Sequence, residues 1–330
     1  MKLSILDQSP ISSGKTPKDA LETSIKLAQL GDELGFERFW IAEHHDLFGL
    51  ASPNPAVMIG IIGQVTGRIK IGAGAVLLPY YKPFHVAETY NLLATLYPKR
   101  IDLGLGRAPG GSAQVSMALS DNYLQQVGKF PSEIDELQNF LHKSFPKDAD
   151  FAKISPTPVP LVPPKLWLLG TSEKSAKLAV EKGLFYAFGH FMAETNGPNI
   201  VKSYRENFEK QHNRTGYVIV AVHVICAETT DRAYDIARST QLWSILQNDP
   251  LAEQTIPSIE KAKNYLYTDE QLKKIQSMEE KMVIGNPQEV ARKLKEIKNH
   301  YKADELMIVT ITHDEQDKLH SYELLAKEFS

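Results

Sequence analysis

In the stretch Trp40-Ile41-Ala42-Glu43-His44-His45, one carboxylate and two imidazoles follow a short apolar run. An imidazole titrates near neutral pH and a carboxylate can orient it, so the three groups suit proton transfer. The run itself reads as a buried strand. A strand whose C-terminal tip carries titratable side chains is where an α/β protein places its chemistry. A lone histidine there would be explained as a satisfied strand end, whereas the Glu-His-His cluster favours a site. Consecutive strand residues alternate faces, so His44 and His45 point apart and are not expected to chelate one metal. No motif with metal-ligand spacing occurs, and no metal is expected.

A second cluster is Gly170-Thr171-Ser172-Glu173-Lys174-Ser175, between a predicted strand and a predicted helix. The free amides of a helix N-terminus carry about half a positive charge. With the hydroxyls of Thr171, Ser172 and Ser175 they suit an anion such as a phosphate. Arg107, at another strand tip, offers a planar charged fork for the same anion. The plainer alternatives are that Thr171 or Ser172 only caps the helix and that Arg107 pairs with an acid. In Gly72-Ala73-Gly74-Ala75 the small side chains either let a flat ligand approach the backbone or simply fill a tapering interior. Gly104-Leu105-Gly106-Arg107-Ala108-Pro109 begins like a dinucleotide fingerprint, but Pro109 replaces the last glycine. No Walker loop is present.

The elements that must position these groups alternate along the chain. Strands are predicted at 3–6, 38–42, 69–77, 101–105, 166–169, 184–188, 218–226 and 306–311. Helices are predicted at 16–34, 55–66, 83–96, 172–182 and 315–329. Eight strands in β-then-α order argue for a closed parallel (β/α)8 barrel, with an open doubly wound sheet as the alternative. In a barrel the C-terminal strand ends share one rim. That rim would collect Asp7, Glu43-His44-His45, Gly74-Ala75, Arg107, Gly170-Thr171-Ser172, His190 and the segments 226–229 and 310–313. Two long insertions, between strands 4 and 5 (107–165) and in the strand 7 to strand 8 region (243–285), are expected to carry helices and cover the mouth. The first should hold a helix near 132–143. Without a linker or a repeat, residues 1–330 read as one domain.

Composition narrows the function classes. Hydrophobic residues at 42% and charged residues at 23% describe a soluble globular chain. Lysine and arginine total 37 against 40 acids, a net charge of −3 with no basic face for nucleic acid or an anionic membrane. Cys226 is the one cysteine, so no disulfide can form within the chain, and it sits in an apolar run as a buried thiol would. The N-terminal run is too short for a secretory h-region and no stretch is long enough to span a bilayer. A cytoplasmic location is expected.

Spread over most of the chain, a series of motifs resembles the bacterial luciferase-like family of flavin-dependent monooxygenases. They are Leu3-Ser4-Ile5-Leu6-Asp7-Gln8-Ser9-Pro10, the Trp40–His45 tip, Gly72-Ala73-Gly74-Ala75-Val76-Leu77-Leu78-Pro79 and Arg100-Ile101-Asp102-Leu103-Gly104-Leu105-Gly106-Arg107. Leu168-Leu169-Gly170-Thr171-Ser172 and Gly285-Asn286-Pro287-Gln288-Glu289-Val290 with Asp304-Glu305-Leu306-Met307 continue it. The resemblance implies a (β/α)8 barrel that uses reduced FMN, supplied by a separate flavin reductase, and O2 to oxygenate a small organic molecule. It implies that His44 is the catalytic imidazole, with Glu43 beside it, and that Gly74-Ala75 is a non-proline cis peptide beneath the flavin ring. Arg107 and Gly170-Thr171-Ser172, with Ser175, would grip the FMN phosphate. A homodimer is implied as well. Gly106 stands where light-emitting members carry a reactive cysteine, so luminescence does not follow. A flavin-binding protein without turnover and a deazaflavin-dependent hydride-transfer enzyme are the alternatives. The aromatic residues Tyr80, Tyr81, Phe188, Phe191 and Trp243 point to an apolar substrate if they line the mouth.

Overall fold

The computed structural model describes residues 1–194, 196–247 and 252–329. Its strands are β1 (Leu3–Asp7), β2 (Arg38–Ile41), β3 (Lys70–Leu77), β4 (Ile101–Gly106), β5 (Lys165–Gly170), β6 (Phe185–Gly189), β7 (Val218–Cys226), β8 (Met282–Gly285) and β9 (Glu305–Val309). All pair in parallel. The ring runs β1 to β7 in order, then to β9, which returns to β1. This is the closed eight-stranded (β/α)8 barrel expected from the sequence, and it excludes the open sheet.

One strand, β8, lies outside the ring. The first part of β7 pairs with β6 on one side and β9 on the other, through Val218 to His223. Its second part, His223 to Cys226, continues beyond β9 and pairs with β8. The four residues of β8 follow a polar helix, Asp269–Lys281, and show no run long enough to read as a strand.

Local chemistry sets the helix boundaries. Thr16 caps Pro17–Glu33 by accepting from the Asp19 amide while the Asp19 carboxylate accepts from the Thr16 amide, and Pro17 fits the first turn. Gly35 beyond its end has φ +89, the left-handed region that glycine enters at little cost. The first insertion holds two helices, Ala113–Leu119 and Tyr123–His142, rather than one near 132–143. The second helix runs through Pro131 without that one amide. The second insertion holds Ile259–Lys263 and Asp269–Lys281. Helices Gly197–His212, Thr230–Leu246 and Pro287–Tyr301 complete the barrel units beyond those predicted.

Side-chain parity divides the core into two layers. Leu3, Ile5, Phe39, Ile41, Ile71, Leu103 and Leu105 face outward, packed against the helices. Leu6, Trp40, Ala42, Trp167, Ala187, Ile219, Ala221, Met307 and Val309 fill the barrel interior. The interior also holds a closed ion network at the start of the strands. Arg38 donates to Glu305 at 2.6 and 2.9 Å and to Asp102 at 2.6 Å. Asp102 also accepts from the Trp40 and Trp167 indoles, each at 3.0 Å. Ser4 and Tyr217 complete Glu305. Burial of these charges is tolerable because each has partners.

Candidate functional site

The inside–outside alternation fixes the direction of the tip of β2. Trp40 and Ala42 point into the barrel, so His44 points toward its open mouth, while Glu43 and His45 point outward. The buried Glu43 carboxylate is saturated on that outer face. It accepts from the Leu77 amide at 3.1 Å and the Tyr81 hydroxyl at 2.8 Å, and His45 Nε2 lies 2.8 Å from it. With a carboxylate as partner, that nitrogen carries the proton. Glu43 therefore ties the tip of β2 to the end of β3 rather than sharing a face with His44. The backbone holds the same tip: the His44 amide donates to Ser52 O at 3.1 Å and the His45 amide to Gly110 O at 2.8 Å.

His44 itself is left free to react. Its Nδ1 is buried without a hydrogen-bond partner. Burial, helped by the neighbouring His45, pushes its pKa down to about 4, so the ring is neutral at physiological pH. A neutral imidazole with an open nitrogen can give or take one proton.

Next to it, β3 is irregular. The Gly74–Ala75 peptide is cis, as the resemblance implies, and the register to β4 shifts between Ala73 and Val76. A Cβ at Gly74 would stand 2.9 Å from Leu6 Cδ1, and one at Gly106 would stand 3.0 Å from the Ala75 methyl. Glycine at both positions is thus required by close packing, against Leu6 and Trp40 at Gly74 and against Ala75 at Gly106.

The phosphate-binding candidates lie on the adjoining strands. Leu105 pairs with Leu168, which brings Arg107 level with Gly170. The Arg107 side chain is exposed and makes no ion pair among the described residues. Ser172 caps helix Glu173–Glu181, accepting from the Ser175 amide at 3.3 Å. The Ser175 hydroxyl, in contrast, is committed to the turn, 2.7 Å from Ser172 O and 2.8 Å from the Tyr186 hydroxyl. Sequence spacing marks Ser175 as a donor one turn on, but the capping box uses it internally. Gly170 leaves room for it, since a Cβ there would stand 2.3 Å from Ser175 Oγ.

Two other rim candidates face away from the mouth. Asp7 is buried among Ser9, Ser24 and Lys318 behind β1. His190 has its Nδ1 2.8 Å from the Tyr301 hydroxyl on the helical side. Of the aromatic candidates, Phe188 is outer core, whereas Phe191 and Trp243 pack on the interior cluster. Tyr81 holds Glu43, and Tyr80 packs edge-on to His45 while donating to Pro109 O at 2.7 Å. A polar group that no sequence motif marks is His223, an interior residue of β7 flanked by apolar neighbours. Among the described residues no group of three or more His, Cys, Asp or Glu could hold a metal ion.

The model of the family described as luciferase-like monooxygenase matches residues 1–301. The chain belongs to that family. Membership meets the expectation of a flavin-dependent monooxygenase. This luciferase-like monooxygenase is 40% identical to the uncharacterised protein YceB of Bacillus subtilis, over 99% of each chain. It is 33% identical to the N-acetyl-S-alkylcysteine monooxygenase of the same organism, over 99% of this chain and 97% of that one. Among solved structures, apo-MsnO8 superposes with a TM-score of 0.87 at 33% identity, covering 99% of this chain and 97% of that one. The chemistry of the residues present fits a flavin: His44 keeps an orphaned nitrogen at the tip of β2, next to the register shift of β3, and the unpaired Arg107 stands level with a capped helix N-terminus.

Proposed function

We propose that this chain is the oxygenase component of a two-component monooxygenase, acting on an organic substrate with reduced FMN from a separate reductase. The observation that carries the reading is the neutral, unpartnered His44 at the tip of β2, beside the irregularity of β3 at Gly74–Ala75. When bound, reduced FMN would supply two electrons to O2, so that one oxygen atom enters the substrate and the other leaves as water. Arg107 and the amides and hydroxyls of Gly170, Thr171 and Ser172 would hold the phosphate, with Ser175 shaping their turn. His44 would hold or move the proton the reaction needs, and Glu43 would position the strand tip from behind. The apolar interior around Leu6, Ala42, Val309 and Trp243 would keep water from the reacting atoms.

The whole chain acts as one domain in this reading, in the cytoplasm, and works as a homodimer. Helix Pro55–Val65 exposes Val57, Ile61 and Val65 at successive turns, and helix Pro83–Leu96 exposes Leu92 and Leu96. Such a stripe suits a two-fold interface. Thioethers of N-acetylcysteine, on which the 33% identical relative acts by name, are the first substrates to try.

The deciding experiment is an anaerobic titration with reduced FMN, followed by mixing with oxygenated buffer while flavin absorbance is recorded. Tight binding and slowed flavin reoxidation, with an oxygenated product when a substrate is present, support the reading. Absence of FMN binding, or a clear preference for reduced deazaflavin, refutes it. Tight binding with no product from any substrate leaves a flavin carrier.

A further inference from the structure

The barrel interior contains a second imidazole that no structural need explains. His223 is 9% exposed, and its Nε2 is buried with no hydrogen-bond partner. Its direction follows from the strand. Ile219 and Ala221 are interior residues of β7, and His223 is the next position on that face, level with Val309 of β9. An orphaned buried nitrogen costs stability, so one that persists signals a missing partner.

The missing partner is not a charged group of this chain. The ion network of Arg38, Asp102 and Glu305 is complete in itself at the opposite end of the interior. By register the inward residues level with His223 and one step below it are apolar: Val309, Ala221 and Met307. Ring order adds the geometry. With eight strands closing as β1 to β7 and then β9, β7 stands four strands from β3 in either direction, so it faces the Gly74–Ala75 bulge across the barrel.

We propose that His223 is a specificity residue of this site, making one hydrogen bond to a heteroatom within the otherwise apolar part of a substrate held between β7 and β3. The word substrate rests on the monooxygenase reading; the binding site itself does not. The apolar walls take the body of the molecule, and the single imidazole fixes its orientation relative to His44.

The test uses a matched pair of probes, 4-phenylbutan-2-ol and (3-methylbutyl)benzene, titrated calorimetrically into the wild type, His223→Leu and His223→Asn. The alcohol can donate or accept, so either imidazole tautomer is served, and the hydrocarbon has a methyl in place of the hydroxyl. The ratio of the two dissociation constants should shift by about tenfold toward the hydrocarbon in His223→Leu, the worth of one buried hydrogen bond. It should recover in part in His223→Asn. His223→Leu should melt at the wild-type temperature or above, because it removes an unpaired polar group. An unchanged ratio, failure of either probe to bind the wild type, or a lower melting temperature in His223→Leu overturns the proposal. Each titration is run with and without FMN, so a failure of the flavin reading shows in FMN binding and leaves the ratio to judge His223 alone.

Discussion

Replacing Glu43 by Gln should lower thermal stability sharply while leaving the shape of the side chain intact. The carboxylate accepts from the Leu77 amide and the Tyr81 hydroxyl and faces the protonated Nε2 of His45. An amide in its place has only one oxygen. If its nitrogen faces Leu77, a backbone donor that cannot turn loses its partner. If its nitrogen faces Tyr81 and His45, two donors meet a third, and only the hydroxyl can rotate away. Each buried donor left unpaired costs about 1–3 kcal/mol, and these bonds also lose the assistance of charge, so the total is roughly 2–4 kcal/mol. For a chain of this size 1 kcal/mol corresponds to about 2 °C in the midpoint, so the drop should be about 4–8 °C. Scanning calorimetry at fixed protein concentration measures it, with Tyr81→Phe as the milder comparison at about 1 kcal/mol. A Glu43→Gln midpoint within a degree of the parent would show that the clamp between β2 and β3 does not hold the tip, and the positioning role would fall with it.

Other perturbations separate the remaining roles. His44→Ala should slow oxygen transfer by about 10²–10⁴, the range of a lost proton-transfer group, without loss of melting temperature; full turnover in stopped-flow assays would remove His44 from the chemistry. Arg107→Ala should weaken FMN binding by roughly 10–100-fold but riboflavin binding little, as one charge-assisted phosphate contact would. Equal losses for both flavins in fluorescence titrations would contradict a phosphate contact. Stability should also depend on acid. Burial lowers both His44 and His223 to about 4 from the ordinary 6.5, so the folded state resists protons that the unfolded chain takes up. Titration of these rings leaves the fold unpenalised above pH 6.5 and destabilises it as pH falls toward 4, by roughly 3 kcal/mol per histidine. Denaturant melts across that interval should therefore be flatter for His223→Leu than for the wild type, and parallel curves would refute the assignment.

The barrel was legible because its strands are short apolar runs separated by helix-period segments, and because β2 announces its tip by a sudden change from Ala42 to Glu43. Parity from Trp40 also separated His44 from His45 in the sequence. Other features depend on tertiary context. Asp7 and His190 look like rim groups, but counting from Leu6 and Ala187 shows that they lie on the outer face, where a lysine or a tyrosine meets them. Ser175 looks like a free donor, yet an N3 serine next to Gly170 is already needed to close the cap. β8 is four residues long and exists only because β7 overruns β9, a length mismatch that composition does not reveal. His223 sits inside a nine-residue strand where a polar residue reads as an interruption. Its signal was the same parity that exposed His44: among the residues of β7 that face inward, it alone can hydrogen-bond.

Polar groups buried in this barrel thus fall into two kinds, and the division itself carries information. Arg38, Asp102 and Glu305 satisfy one another, and Glu43 is satisfied by three donors, so these charges can be buried without a ligand. His44 and His223 are neutral, and each keeps a nitrogen that nothing in the chain completes. Hydrogen bonds to a bound molecule would recover what those nitrogens lose by burial, whereas apolar residues in their places would pack at no such cost. Retaining both, one at the tip of β2 and one on the inward face of β7, fits a site built for two guests. A flat one would lie along β3 and β4 within reach of His44, and an apolar one across from it would be turned by His223. The two histidines should therefore fail differently when removed: loss of His44 should spoil the reaction of every substrate, and loss of His223 the preference among them.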